Sequence, residues 1–244
     1  METKLCGHVR RREFVGMGRA LAAIKKDGWR RTLWRTALKT VNRVVGFKIL
    51  VGVWVETPDR SFCECDKRFT AAFLSESAIR RFALDPENAL SSEFVDEALL
   101  KGDACFGITD GPVLASYGWY SVQPTRIDPP ELFLEFDKDY VYMYKGFTHP
   151  RYRGKRLHAV GMTLALAHYR SKGFKGIVSY IESDNFESLK SSYRMGYLRF
   201  GSICLGQLFG RTLSYATVGC KKFGFSVIHP ASASVAVCAR SQRS

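Results

Sequence analysis

Residues 139–183 join two strand patterns through a helix pattern, and this order constrains the fold more than any other feature of the chain. In the first ten of these residues, the apolar Val141 and Met143 alternate with tyrosines, and a period of two residues is typical of a β-strand. A loop containing Gly154 follows, then a helix pattern and a second strand over 176–183. The order predicts a mixed α/β layer arrangement.

The flanking sequence supplies further elements of the same domain. Predicted helices cover 16–45 with a break at Asp27-Gly28, 75–83, 91–102, and Asp184 or Asn185 to Met195. Predicted strands cover 47–56, 104–111, 112–122, 197–208 and 211–220, and 127–133 is a turn or linker. We expect a basic helical extension over 1–46, the folded domain over 47–224 and a flexible tail over 225–244.

Composition excludes several classes of protein. No apolar run approaches the roughly 20 residues that span a bilayer, and the nearest, 47–55, carries Lys48 and favours a buried strand. The N-terminus has charges but no apolar segment after them, so we predict no secretory signal. The seven cysteines are irregularly spaced, and the one close pair, Cys63 and Cys65, has no second pair to complete a zinc site. We expect reduced thiols in a cytoplasmic protein, and no metal.

The net charge of +14 is unevenly distributed. Residues 140–244 contain 16 Lys/Arg and 3 Asp/Glu, whereas residues 61–139 contain 7 and 15. A basic segment of this kind suits a polyanion, which includes phosphorylated cofactors, nucleic acid and acidic carrier proteins. The basic helix over 16–45 either packs an apolar stripe on the core or binds a membrane surface or an acidic partner.

The loop after the first strand has the features of an anion site. A strand that ends at Pro150, a turn at Gly154 and a helix that begins at Leu157 place unpaired backbone N–H groups at the positive end of the helix dipole. Cationic side chains surround that point, namely Arg151, Arg153, Lys155 and Arg156. The alternative is a solvated basic loop, because short loops containing glycine are common.

Two motifs in this region resemble the GNAT superfamily of CoA-dependent acyltransferases. Pro150-Arg151-Tyr152-Arg153-Gly154 matches the family's proline, aromatic residue, arginine and first glycine, whereas Arg156 and His158 stand where the family has glycine and glycine or alanine. The second motif opens a helix at Asn185 and ends it at Gly196-Tyr197. The resemblance is clear over 140–200 and extends plausibly back to 104.

The resemblance implies a mostly antiparallel sheet flanked by helices and split between its fourth and fifth strands, with acetyl-CoA or another acyl-CoA in the split. The backbone of Phe147, Thr148 and His149 would pair with the pantetheine arm and supply the oxyanion donor at a bulge. Asn185 would cap its helix and touch the pantetheine. The pyrophosphate would bind the backbone amides of the loop, which are those of Arg153, Gly154, Lys155, Arg156, Leu157 and His158.

Two side chains are the candidates for acid–base chemistry. Glu182, at the end of the second strand, is the predicted base acting through water, and its alternative is an exposed carboxylate at a strand end. Tyr193 resembles the family's thiol-protonating tyrosine, but it stands eight residues after Asn185 instead of seven, and Ser192 fills the usual place. One residue rotates a helix position by about 100°, which leaves open that Tyr193 faces the core. Glu135 and Asp137 are alternative bases.

The resemblance implies an N-acyltransferase that moves an acetyl or longer acyl group from CoA to the primary amine of a small molecule or peptide. The amine would attack directly in a ternary complex. A non-catalytic acyl-CoA sensor and an enzyme that uses an acyl carrier protein are the alternatives. A nucleic-acid-binding module is less well supported, because we find no zinc finger, helix-turn-helix or aromatic RNA-binding signature.

Overall fold

The computed structural model describes residues 28–127, 131–209 and 211–230. The chain divides into two compact units. One contains the chain up to Lys48 together with Leu205–Leu213, and the other contains Ile49–Cys204 and the chain from Ser214 onward. The predicted divisions at 46 and 224 stay predictions.

The helices and strands follow the order expected from the sequence, with four additional short strands and one additional short helix. The helices are α1 (Trp29–Val45), α2 (Glu76–Ala83), α3 (Ser92–Leu100), α4 (Leu157–Ser171), α5 (Phe186–Arg194) and α6 (Val218–Lys221). The strands are β1 (Lys48–Val55), β2 (Thr70–Phe73), β3 (Ala104–Asp110), β4 (Val113–Ser121), β5 (Thr125–Ile127), β6 (Leu132–Glu135), β7 (Tyr140–Thr148), β8 (Gly176–Glu182), β9 (Leu198–Leu208), β10 (Arg211–Ala216) and β11 (Ser226–Ile228).

Eight of these strands form one mixed sheet in the order β10-β9-β1-β8-β7-β4-β3-β2. Strand β8 pairs antiparallel with β1, and β2, β3, β4 and β7 pair antiparallel in sequence along the sheet. Strands β7 and β8 are parallel. Helix α4 packs on one face with Val51, Val53 and Ile177, while α2 and α3 cover the other face around Trp119. The predicted mixed fold, a mostly antiparallel sheet flanked by helices, is confirmed.

The parallel strands stay together for only three residue pairs, which are Tyr140 with Gly176, Val141 with Ile177, and Tyr142 with Val178. Beyond these pairs β7 continues without β8 as a ladder partner. At the point of divergence the Ser179 hydroxyl donates a hydrogen bond of 2.8 Å to the Met143 carbonyl. The sheet therefore contains a split between its two parallel strands, as the resemblance predicted.

Strand β7 has a bulge beside this split. Trp119 of β4 pairs with Tyr144, but Tyr117 pairs with Phe147, so Lys145 and Gly146 together oppose a single residue. Lys145 has a φ of 41°, in the left-handed region that side chains rarely adopt. We expected the bulge around Phe147 to His149, and that position was wrong by about two residues because the register of β4 sets it.

A small second sheet was not predicted. Its order is β11-β6-β5, and it includes both flanks of the segment that we interpreted as a turn or linker. Strand β11, Ser226–Ile228, lies where we expected the flexible tail and pairs with β6.

The structure also locates the two alternative bases, Glu135 and Asp137. Glu135 lies in β6 opposite Ser226, and the Asp137 carboxylate accepts the Asp139 N–H at 2.9 Å. Neither residue belongs to β7 or β8, the two strands beside the split, and the role of the two carboxylates as alternative bases stays a prediction.

The smaller unit contains α1 and the tip of the β9–β10 hairpin. Helix α1 covers the second half of the basic helix predicted over 16–45, and residues 16–27 lie outside the described residues. Its threonines at 32, 36 and 40 each bond the carbonyl four residues earlier. The helix ends at Gly46, whose φ of 51° is left-handed and whose N–H donates to the Asn42 carbonyl.

Candidate active site

A cavity of about 460 Å³ lies in the split between β7 and β8. Residues 142–148 of β7 form one wall and residues 179–181 of β8 form another. Helix α5 contributes Ser188, Ser191 and Ser192, and the remaining lining residues are Val53, His158, Tyr197 and Met195, which directly follows α5. The cavity thus combines an apolar floor with hydroxyl, phenol and imidazole groups, which is the usual character of a ligand pocket.

The loop between β7 and α4 leaves backbone donors unpaired. The first hydrogen bond of α4 runs from the Val160 N–H to the Arg156 carbonyl at 3.1 Å, and no side chain caps the helix. In the part of the chain that the structure describes, the N–H groups of residues 157–159 therefore have no acceptor. Three such amides at the positive end of a 15-residue helix are donors of the kind that bind anions in proteins.

The backbone reaches this arrangement through two left-handed residues. Gly154 has a φ of 83°, which glycine adopts without strain, and a Cβ there would meet nothing within 4 Å. Arg156 has a φ of 61° immediately before the helix, at a place where the GNAT motif has glycine. A non-glycine residue in this conformation costs on the order of 1 kcal/mol, and the surrounding structure must hold it.

Charge and a hydrogen-bond anchor support the same loop. The side chains of Arg151, Arg153, Lys155 and Arg156 are exposed around it. The Tyr152 hydroxyl donates to the Asp110 carboxylate at 2.8 Å, which ties the loop to the β3–β4 turn. Hydrogen bonds from Arg68 and then from Tyr152 hold the pKa of Asp110 below its usual range. The carboxylate is thus engaged by these two partners, and the loop presents an excess of positive charge.

Of the three residues expected to pair with pantetheine, the structure brings two to the cavity. Phe147 and Thr148 line it, whereas His149 is buried and its Nε2 lies 3.0 Å from Glu87 Oε2. The His149 N–H donates to the Ala115 carbonyl of the neighbouring strand at 3.0 Å. Because successive residues of a strand point their backbone groups to opposite edges, the N–H and C=O of Thr148 face the open edge of β7.

The two acid–base candidates do not line the cavity. Glu182 is exposed at the end of β8, opposite Leu50 of β1. Tyr193 is 47% exposed and lies outside the lining, whereas the adjacent Ser192 is 4% exposed and belongs to it. The helical rotation between neighbouring positions explains this difference. Asn185 caps α5 as predicted, since its side chain accepts the Ser188 N–H at 3.2 Å, but it does not line the cavity.

Three tyrosines stack on the face of the sheet opposite α4, an arrangement that the sequence did not predict. The rings of Tyr142 and Tyr144 are 5.7 Å apart and nearly parallel, and the ring of Tyr180 lies 6.3 Å from that of Tyr142. The Tyr144 hydroxyl donates to the buried Asp103 carboxylate, which also pairs with Lys101 at 2.9 Å. Burial, and then Asp103, raise the pKa of Tyr144, so this phenol stays neutral. The alternation of tyrosines was visible in the sequence, but their stacking across two strands was not.

The imidazole of His158 was also missed, because the sequence argument used only its amide. The side chain is half-buried and lines the cavity beside the bulge. A Cβ built on Gly146 would lie 2.5 Å from His158 Cε1 and 3.2 Å from its Nδ1, so the ring packs directly against the bulge. Burial lowers the pKa of His158 from its ordinary 6.5.

Two absences hold for the described residues. We find no cluster of three or more His, Cys, Asp or Glu side chains there that would bind a metal ion. None of the helices within residues 28–127, 131–209 and 211–230 has the length and apolar character needed to cross a membrane.

Comparisons with known proteins give matches among solved structures alone. No protein family model matches the sequence, and no curated protein matches it. One structural match is an acetyltransferase of the GNAT family from Novosphingobium aromaticivorans, with 14% identity, 70% of this chain and 66% of that chain covered, and a TM-score of 0.47. Another is a GCN5-related N-acetyltransferase from Sphaerobacter thermophilus, with 9% identity, 76% and 56% covered, and a TM-score of 0.45.

A third match is an N-acetyltransferase from Staphylococcus aureus Mu50, with 11% identity, 61% of this chain and 94% of that chain covered, and a TM-score of 0.43. This chain spans slightly less than two thirds of the length of the first match and little more than half of the second. Members of the GNAT superfamily are thus among the solved structures that the chain resembles, as the two sequence motifs predicted.

Proposed function

We propose that this protein is an N-acyltransferase that takes an acyl group from acetyl-CoA or another acyl-CoA and transfers it to a primary amine. One observation carries the proposal: the uncapped N-terminus of α4 opens beside a polar cavity in the split between two parallel strands. The first feature suits a diphosphate, and the second suits an extended arm that ends in a thioester.

The described residues fit each part of an acyl-CoA. The amides of residues 157–159 would hold the diphosphate, and the exposed cations of the loop would add attraction to the remaining phosphate. The open edge of β7 at Thr148 would bond the amides of the pantetheine arm. The bulge at Lys145 and Gly146, where the register between β4 and β7 shifts, would supply the backbone N–H that acts as the oxyanion donor.

The reaction would proceed by attack of the amine nitrogen on the thioester carbonyl. A C–N bond forms, the C–S bond breaks, and the sulfur leaves with the electron pair and takes up a proton as the thiol. The acceptor amine would approach over the stacked tyrosines, because they occupy the face of the sheet opposite α4. Glu182 is the proposed base that removes, through an intervening water, the first proton from the ammonium form of the acceptor before attack.

A second candidate function is binding of acyl-CoA without turnover. It is favoured by one observation, since Ser192 occupies the place of the family's thiol-protonating tyrosine and bonds its own helix at the Leu189 carbonyl, 2.9 Å away. Release of free thiol in the presence of a panel of primary amines separates the two functions. Saturable CoA binding with no thiol release for any amine would favour the sensor.

Thermal unfolding tests the binding step that both functions share. At a hundredfold excess over Kd, a ligand stabilises the folded state by about 2.7 kcal/mol, which for a domain of this size corresponds to a Tm increase of roughly 5–10 °C. We expect acetyl-CoA to produce this increase in the wild type and not in Gly154→Pro, because proline cannot adopt the φ of 83° that shapes the loop.

The matched control is Gly173→Pro, which forces the same backbone change at the other end of α4, where φ is 92°. This variant should keep the acetyl-CoA response. An acyl carrier protein bearing acetyl-phosphopantetheine is the second arm of the experiment, since it carries one phosphate where CoA carries a diphosphate. If neither donor raises Tm in the wild type, the proposed function is wrong.

A further inference from the structure

We propose that His158 carries a proton between the attacking amine and the leaving sulfur in the reaction proposed above. This inference rests on the proposed function and deepens it. It assigns a role to an imidazole at a position where the GNAT motif has a small residue.

The position of the ring supports this role. His158 lines the cavity in the split, and its ring packs against Gly146, the second residue of the bulge. A thioester whose carbonyl oxygen meets the bulge would place both its carbon and its sulfur near this imidazole. Within the described residues, no hydrogen bond or ion pair engages either nitrogen of His158. A polar ring that faces a cavity without a partner is the arrangement expected of a group that meets a ligand.

The other groups that share its surroundings are poor proton carriers. Lys145 is the one cation in the cavity, and its Nζ lies over the Phe94 ring at 4.0 Å. The other titratable groups of this cavity are the phenols of Tyr142, Tyr144, Tyr180 and Tyr197. His158 also lines a second, smaller cavity, where the titratable neighbours are the phenols of Tyr117 and Tyr120. Phenols ordinarily titrate near 10 and imidazole near 6.5, so the His158 ring is better suited than these phenols to accept and release a proton near neutral pH.

The proton balance closes without an external acid. The amine attacks the thioester carbon, and the nitrogen of the tetrahedral adduct carries the extra proton. The neutral imidazole accepts that proton. As the C–S bond breaks, the imidazolium gives the proton to the sulfur, which leaves as the thiol. The ring returns to its neutral form, and one histidine thereby serves as base and then as acid, as in other acyl transfers.

The experiment compares the wild type with His158→Gln and His158→Ala. Glutamine keeps a polar side chain against the bulge but does not transfer a proton. We expect CoA to bind His158→Gln within about threefold of the wild type in calorimetry, and kcat for thiol release to fall roughly 100-fold or more. The kcat of the wild type should decline as pH falls through a pKa below 6.5, and this decline should be absent from the residual activity of the variant.

An NMR measurement of CoA binding tests the position of His158 without any need to know the acceptor amine. The chain has five histidines, and the imidazole NMR signal that is lost in His158→Gln identifies this one. CoA should shift that signal and its titration midpoint. If CoA binds the wild type but leaves the signal unchanged, or if kcat and its acidic limb survive in His158→Gln, the role of His158 is wrong while the proposed function stands. If CoA does not bind the wild type, both fail. If His158→Ala binds CoA more tightly and keeps the full kcat, the imidazole of His158 only fills space in the cavity and the proposed proton transfer is wrong.

A separate surface carries a second inference: we propose that the smaller unit binds anionic lipid surfaces. Its described helix α1 and the hairpin tip at 205–213 contain six Lys or Arg and no Asp or Glu. Large apolar side chains stand exposed among these cations, and they are Trp29, Leu33, Trp34 and Val41 in α1 and Leu208, Phe209 and Leu213 at the tip. Phe209, at 96% exposure, is the most accessible of them.

This combination favours a lipid surface over nucleic acid. Cations alone would suit either polyanion, but exposed tryptophan and leucine gain free energy only where apolar area leaves water, as it does at the acyl boundary of a bilayer. Attraction to anionic headgroups adds to this gain for each Lys or Arg near the surface. The mixture of aromatic, aliphatic and arginine side chains is typical of helices that lie in the interface plane.

Sedimentation with vesicles tests this surface. We expect the protein to bind vesicles of phosphatidylcholine with phosphatidylserine, and to bind phosphatidylcholine alone several-fold more weakly. Trp34→Ser combined with Phe209→Ser should reduce the bound fraction several-fold. The control is Val218→Ser, because Val218 is an apolar residue of the other unit with 77% exposure. This substitution should leave the bound fraction unchanged. Absence of binding to the anionic vesicles, or retention by a short RNA that is insensitive to Phe209→Ser, would refute the lipid assignment.

Discussion

Two helices begin near the cavity, and they begin differently. Helix α5 starts at Asn185, whose side chain accepts the Ser188 N–H and so satisfies one of the helix's own donors. Helix α4 starts at Arg156, which makes no capping bond and adopts a strained left-handed conformation. The capped start of α5 stabilises that helix, whereas the uncapped start of α4 leaves its N–H donors unpaired. In the proposed function, α5 therefore forms part of the cavity wall and α4 supplies the donors for the diphosphate.

The largest expected effect comes from giving α4 the cap that it lacks. Arg156→Asp places a carboxylate at the cap position, where it competes for the same amides and repels a diphosphate. We expect the affinity for CoA in calorimetry to fall roughly 10- to 100-fold, since charge-assisted hydrogen bonds are worth about 1.5–3 kcal/mol each. Asn185→Asp, the same charge at the start of α5, should leave the affinity within about twofold. Equal losses for both variants would contradict the comparison.

The next effect concerns folding stability. Asn185→Ala should lower the free energy of unfolding by about 1 kcal/mol in urea, because a capping hydrogen bond is lost. Arg156→Ala should lower it by less than about 0.5 kcal/mol, because no cap is lost there. If the two variants lose the same free energy, Arg156 has a structural role that the geometry does not show.

A smaller effect is expected from the cations. Lys155→Gln removes one exposed charge at the start of α4, and we expect CoA affinity to fall up to about fivefold at low salt and hardly at all at high salt, where screening is strong. Lys190→Gln on the exposed side of α5 is the control and should show neither effect. A loss for Lys155→Gln that persists at high salt would instead point to a direct bond.

The smallest effect concerns the anchor of the α4 loop. The pKa of Asp110 is held below its usual range by Arg68 and Tyr152, so its contribution to stability is present above the unfolded value near 3.8 and is lost as pH falls through the lower folded value. Denaturant midpoints should therefore decline more steeply below that pH in the wild type than in Asp110→Asn. Parallel curves for the two proteins would show that the anchor contributes nothing measurable.

Features set by local sequence were predictable. The start of α4 at Leu157, the cap at Asn185 and the left-handed Gly196 depend on residues within one turn of each other, and all three are present. The split between the parallel strands was implied by the family resemblance, which two motifs carry, each contiguous in the sequence.

Features that depend on a distant partner were not predictable. The position of the bulge is fixed by the register of β4, and the small sheet requires β11 to find β6, about 90 residues away. Pro129 and Pro130 broke the strand pattern between β5 and β6, so that segment read as a turn. Likewise, whether Ser192 or Tyr193 meets the cavity depends on how α5 rolls against the sheet, and one residue decides it.

The bond from Ser179 to the Met143 carbonyl has a consequence for the width of the cleft. Where the ladder of hydrogen bonds between the parallel strands stops, the Ser179 hydroxyl still connects β8 to β7 at the narrow end of the split. Removing it by Ser179→Ala would free the two arms to separate while leaving the chemistry of the rest of the lining almost unchanged. The width of the opening, and with it the size of the acyl group that the proposed acyl-CoA site would admit, therefore depends on the residue at position 179 as well as on the residues along the cavity walls.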